Sequence, residues 1–208
     1  MNGDMAVTGK FSARLTRAKG PGLAWKLRNT LRPAFIRGWL AYHLARPLGR
    51  ILGFGTIISR LSLRKRYASG EWVDYGVVDY RVVTTAFVTA IALALGTQAS
   101  PGNLFYHALG TGTTAADVGD TGMGTELTTE YTGNVRATGT HTEAAGVYTS
   151  VGTNTLDSGT NVAVTEHGVM GANTGASTLI DRHVFSAVTM SSGDSLATTY
   201  ELTLTAGG

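Results

Sequence analysis

Val184-Phe-Ser-Ala-Val-Thr-Met-Ser-Ser-Gly-Asp-Ser-Leu-Ala-Thr-Thr-Tyr-Glu-Leu-Thr-Leu-Thr205 decides the fold. Val184 to Val188 alternates apolar and polar residues, Ser191 to Ser195 is a turn cluster, and Leu196 to Thr205 alternates again. Period-two alternation places Tyr200, Leu202 and Leu204 on one face of a strand and Thr199, Glu201 and Thr203 on the other. The spacing predicts a hairpin. Outward from it the same texture continues: Val162-Ala-Val-Thr165 is another short run, and Asp157-Ser-Gly159 and Asn173-Thr-Gly175 are further turns. No proline follows Pro101. Short strands at roughly 10-residue spacing, rich in Thr, predict a mainly β domain over residues 103–208, a β-sandwich or jelly-roll-like fold.

Upstream the chemistry changes. The chain has 208 residues, no cysteine, 17 Lys+Arg and 14 Asp+Glu. Residues 1–70 hold 14 of the basic residues against the single acid Asp4, a charge of +13, whereas residues 71–208 carry −10. Such asymmetry predicts two jobs in one chain, divided near Ser69-Gly70. The absence of cysteine excludes a disulfide scaffold, a thiolate metal site and a Cys nucleophile, and suits assembly in a reducing cytoplasm.

Residues 1–70 read as a basic, proline-kinked arm, unstructured at first and then partly helical. Leu23, Leu27 and Leu31 recur at helical spacing, Pro33 ends that helix and opens the next, and Phe35, Trp39, Tyr42 and His43 form an aromatic stripe before Pro47. The expected partner-binding set is Trp25, Arg28, Arg32, Phe35, Arg37, Trp39, Tyr42, Arg46, Arg50, Phe54, Arg60, Arg64, Lys65, Arg66 and Trp72. Arg meets an acidic surface; Trp25, Phe35, Trp39, Phe54 and Trp72 are apolar anchors. A basic amphipathic segment suits a protein groove, an anionic polymer or a membrane surface. Recurrent arginines break any secretory-signal pattern. Residues 71–102 form a connecting segment. Its apolar run Val82–Leu95, 14 residues with three Thr, falls short of the roughly 20 a bilayer requires. It reads as a buried core helix closed by Gly96 and the loop Ser100–Asn103.

The chemical motifs are weak. Gly110-Thr-Gly112-Thr-Thr-Ala115 fits G-x-G-x-x-A, but no βαβ context follows. Glu166 and His167 are strand neighbours on opposite faces and cannot grip one metal, whereas His141 and Glu143 share a face. No H-E-x-x-H occurs, and Asp117-Val-Gly119-Asp120 lacks the ligand count of a calcium loop. The residues therefore predict no enzyme activity, no cofactor and no metal.

An ordered series of motifs carries a resemblance. It comprises Gly76–Ala86, Tyr106-His-Ala-Leu-Gly-Thr-Gly112 and its continuation to Tyr131, Arg136–Thr140, Val151–Thr153, Thr165–Val169, Leu179–Phe185 and Ser192–Gly208. Over residues 76–208 the chain resembles a family of small tailed-bacteriophage virion structural proteins with a head-decoration or fibre-like Thr/Gly-rich β domain. The resemblance implies a non-catalytic virion component made in the host cytoplasm. The leading expectation is a capsid decoration or cement protein, with the major capsid lattice and copies of itself as partners. Alternatives are a tail, neck or fibre-base protein, or one whose arm contacts DNA or membrane.

Overall fold

A computed structural model describes residues 20–81, 83–97 and 104–206. The anticipated unstructured start, residues 1–19, and the loop expected at Ser100–Asn103 lie outside the described residues. Two helices come first, α1 (Leu23–Thr30) and α2 (Pro33–Leu52), then strands β1 (Thr56–Arg66) and β2 (Trp72–Arg81). Helix α3 (Thr85–Thr97) precedes β3 (Tyr106–Gly110), β4 (Ala137–Thr138), β5 (Thr140–Ala144), β6 (Val147–Thr155), β7 (Val162–Met170), β8 (Leu179–Met190) and β9 (Ser195–Thr205). The strands form two antiparallel sheets, β2-β1-β9-β6-β5 and β4-β3-β7-β8. The fold is mainly β and sandwich-like.

The anticipated hairpin is not one. β8 pairs with β7 in the four-stranded sheet, and β9 pairs with β1 and β6 in the five-stranded sheet. The Ser191–Asp194 turn, where Asp194 accepts the Ser191 N–H at 2.8 Å, therefore carries the chain from one sheet to the other. Alternation reports which face a residue takes, not which strand lies beside it.

The charge boundary is not a structural boundary either. Gly70, at φ +88°, sits in the β1–β2 turn, so the last part of the anticipated arm is a strand of the sandwich. Along β1, Leu61, Leu63 and Lys65 point inward while Arg64 and Arg66 are exposed. Basic β1 residues pair with acids on its neighbours: Arg60 with Glu201, Arg64 with Asp74 (3.8 Å) and Lys65 with Asp194 (2.7 Å). The two oppositely charged parts are stitched together rather than set apart.

Pro33 opens α2 as expected, and Gly53 ends it in the left-handed conformation (φ +75°). Pro47 lies within α2 without ending it. The mount is tight: a Cβ on Gly38 would collide with the Tyr80 carbonyl. Helix α3 departs from the expected core helix. Phe87 is buried, but Val88, Leu93 and Leu95 are exposed, because the helix rests on the sandwich along one face only.

The interior holds two larger apolar clusters, with polar side chains between them, and a small third one of Ala108, Met170 and Leu179. Leu61, Leu63, Val164, Phe185 and Leu196 belong to one cluster, and Phe87, Val169, Ile180, Tyr200 and Leu202 to the other. Along β7 the order is Val164, His167, Val169; along β9 it is Leu196, Thr198, Tyr200.

Candidate functional site

The helical face is an apolar surface left open to a partner. Leu23 and Leu27 on α1, Leu31 at its C-cap, and Ile36, Leu40, Leu44 and Leu48 on α2 recur at four-residue spacing within each run and are 42–72% exposed. Trp39 and Phe54 extend the face, and Arg28 and Arg37 are exposed on the same helices. Thr30, Phe35, Ile36 and Trp39 line a notch of about 210 Å³. No acid occurs from residue 5 to residue 70. An aliphatic ridge bordered by cations of one sign is a docking surface for something apolar and anionic.

Beneath the ridge, α1 plugs the seam where the edge strands β2 and β8 meet. Asn29, 1% exposed, donates to the Val78 carbonyl (2.9 Å) and accepts the Ser186 N–H (3.0 Å), linking one strand of each sheet. Trp25 Nε1 donates to the Ala187 carbonyl (2.9 Å) while its ring meets Tyr75 edge-on, and Arg32 donates to the Val184 carbonyl. Phe35 and Tyr42 pack on Tyr80.

The anticipated partner-binding residues therefore divide. Arg28, Arg37, Trp39 and Phe54 are on the open face; Arg46 and Arg50 fall on α2. Trp25, Arg32, Phe35 and Tyr42 fasten the helices to the sandwich. Arg60, Arg64, Lys65, Arg66 and Trp72 are strand residues. Lys65 is the clearest correction: it is 3% exposed, bonded to Asp194 and to the Thr189 carbonyl (2.6 Å), with the Tyr67 ring 4.0 Å away. Trp72 is half-buried with the Arg64 guanidinium over its ring.

The glycine motif cradles one of the protein's own carboxylates. Glu166, fully buried, accepts N–H groups from Gly112 (2.9 Å), Gly124 (3.0 Å) and Thr125 (2.6 Å), and Arg182 Nε donates to it at 2.7 Å. Burial opposes its charge, but these donors outweigh burial and hold its pKa below the ordinary value. A Cβ on Gly112 would stand 2.6 Å from Glu166 Oε1. Gly112→Ala is accordingly expected to cost about 1–3 kcal/mol in urea unfolding, by forcing the loop off the carboxylate. Asp117 and Asp120 bond to the turn amides of Gly119 and Asp117, and Asp120 also pairs with Arg182 at 3.1 Å. Arg136 is likewise consumed, by Glu126 and the carbonyls of Ala172 and Gly175. It borders a cleft of about 410 Å³ floored by Met123, Leu127 and Met170.

Glu166 and His167 face opposite ways, as their adjacency requires. His167 joins His107 and His183 inside the sandwich, with ring centroids 5.1 and 6.2 Å apart and each ring fully buried. His107 Nδ1 is 2.9 Å from His167 Nε2 and its Nε2 is 2.8 Å from Ser150 Oγ. His183 lies between Asp181 (3.4 Å) and Asp79 (3.6 Å). The sequence signal for this row was present only as three separate His residues on alternating runs. His141 and Glu143 do meet, at 3.8 Å on an exposed strand. Among the described residues no group of three His, Cys, Asp or Glu is arranged to hold a metal ion, and no helix is long and apolar enough to cross a membrane.

No protein-family model matches the chain, and the search of curated proteins likewise returns no match.

Proposed function

We propose that this chain is a non-catalytic structural protein of a tailed-bacteriophage virion, a capsid decoration protein whose α1–α2 face docks on the major capsid lattice. The observation that carries the reading is the acid-free, aliphatic ridge from Leu23 to Leu48, mounted on a sandwich whose buried Lys65 and Arg182 are paired with Asp194 and Glu166. The sequence resemblance over residues 76–208 adds the virion context. Binding that requires the assembled lattice stabilises that lattice by mass action. Many copies, themselves in symmetric clusters, would bind each particle.

The test is copy number and docking. In particles carrying this chain, its ratio to the major capsid protein is expected to be near one or a simple fraction of it. A few to a few dozen copies would place it in the tail, neck or fibre base. Buried interface anchors contribute about 2 kcal/mol each, so Trp39→Ala with Leu44→Asp is expected to weaken binding to capsids lacking the chain by about 100-fold or more. Unchanged binding with an intact fold refutes the assignment of the face. The lack of acid also favours a second reading, an anionic bilayer as the docking surface. Co-sedimentation with phosphatidylcholine vesicles only when phosphatidylglycerol is included would support that alternative. Tight, salt-sensitive DNA binding without capsid binding would instead identify a DNA-contacting arm.

A further inference from the structure

The buried row His107, His167, His183 runs from β3 through β7 to β8, and its two ends are in opposite electrostatic settings. At the β8 end, His183 faces the carboxylates of Asp181 and Asp79; Arg81 donates to Asp79 at 3.0 Å, and Ser59 and Tyr200 donate to Asp181. Arg32 is also within electrostatic reach of Asp79, so the two carboxylates face Arg81, Arg32 and the His183 ring that lies between them, and it is these carboxylates that hold His183 as the imidazolium. At the other end, among the described residues, no carboxylate faces the rings. His107 meets Ser150 from β6, Thr198 from β9 (2.9 Å) and His167, while His167, among the described residues, hydrogen-bonds only to His107 and has the His183 ring on its other side. Glu166, the adjacent acid on β7, is on the far face and committed to Arg182.

The hydrogen bonds assign the tautomers. If His167 Nε2–H donates to His107 Nδ1, His107 Nε2–H is free to donate to Ser150. On these two rings the remaining orphan is then the bare nitrogen His167 Nδ1, whereas the His183 nitrogens, also without hydrogen-bond partners, have the carboxylates of Asp79 and Asp181 at ion-pair distance. The reverse arrangement would bury an unpaired N–H, which costs more. Both rings are thus neutral, and the next proton to enter must create a second imidazolium beside the first, in a dry core with no counter-charge.

The same strands hold the helices. On β2, the Val78 carbonyl takes Asn29, Asp79 faces His183 and Tyr80 packs on Phe35 and Tyr42. On β8, the Val184 carbonyl next to His183 accepts from Arg32, and the Ser186 N–H donates to Asn29.

We infer that the histidine row is an acid-operated latch, holding α1 and α2 on the sandwich at neutral pH and releasing them when the core takes a second proton. The direction follows from linkage. Burial lowers His107 to about 4, and burial, with the His107 and His183 rings beside it disfavouring a further charge, lowers His167 well below 6.5. The unfolded chain therefore binds more protons below 6.5, and stability falls as pH drops from 6.5 towards 4. Burial also opposes charge on His183, but Asp181 and Asp79 outweigh it and raise its pKa to about 9. Its stabilisation is complete below 6.5 and disappears as pH rises through 9. The latch is closed between these limits, whatever the helical face docks on.

The experiment is a pH titration of the full chain from 8 to 4, following tryptophan emission, far-UV circular dichroism and histidine ring NMR. A red shift in emission between pH 6.5 and 4, no later than loss of the strand signal, is the expected result. His107→Gln and His167→Gln should each move the midpoint down by about one pH unit, because one proton fewer drives opening. Emission unchanged at pH 4, strand loss first, or a midpoint indifferent to both substitutions overturns the latch. If the variants do not fold, the wild-type rings decide. At pH 6, neutral His107 and His167 with doubly protonated His183 support the proposal, and any other pattern overturns it.

Discussion

Glu166→Ala is expected to cost about 3–5 kcal/mol, measured by urea denaturation. The substitution would orphan three amides, from Gly112, Gly124 and Thr125, and strip the buried Arg182 of its closest carboxylate. Domains of this size are typically stable by about 5–15 kcal/mol, so the variant would keep only part of its margin. Asp120→Ala is the internal comparison. That carboxylate touches the same guanidinium but is partly exposed, and its loss should cost about 1 kcal/mol or less. Equal effects would mean that the cradle around Glu166 contributes nothing beyond an ordinary ion pair. Because its folded pKa is depressed, the stability contributed by Glu166 is present above the ordinary carboxylate range and lost as pH falls through the folded value.

Asn29→Ala is the second large effect, about 2–3 kcal/mol, since it leaves a donor on β8 and an acceptor on β2 unpaired in a seam that water does not reach. Thermal unfolding should show the loss, and hydrogen exchange should show where it falls: the Ser186 amide loses its protection while the β6–β9 ladder keeps it. Asn29→Asp retains the acceptor for Ser186 but sets a carboxylate oxygen against the Val78 carbonyl. It should fall between alanine and wild type. Uniform loss of protection across both sheets would show that α1 is an integral part of the sandwich rather than a plug in its seam.

The sandwich class and the two helices were legible because their signals are local. Leu23, Leu27 and Leu31 announce a helix, Pro33 resets it, and the Thr-rich runs from Val162 onward announce strands. β1 was obscured by its charge. Leu61, Leu63 and Lys65 alternate inward, a period-two pattern available in the sequence, but Arg60, Arg64 and Arg66 made the segment look like the end of an arm. The β8–β9 hairpin failed for a different reason. The partner of Ser195 in β9 is Arg66 in β1, and no turn chemistry at Ser191–Ser195 encodes a neighbour so far back in the chain. The helical face shows the same limit. Composition marked out the basic, aromatic stretch, but only packing separates Trp39, which is open, from Trp25, which is tied to β8. The histidine row was the least legible feature, since each ring comes from a different strand and their meeting depends on sheet order.

The place of β9 has a consequence for how the molecule is made. It lies third in the five-stranded sheet, between β1 and β6, although every other strand precedes it in synthesis. Until β9 emerges, the β1–β2 and β5–β6 hairpins can exist only as two halves with facing, unsatisfied edges. The sheet is then completed in a single late insertion that pairs β9 with β6 and with β1 residues more than a hundred positions back, which predicts slow folding. A nascent chain halted before β9 would display the strand edges that the finished protein hides, and would be the form most prone to aggregate.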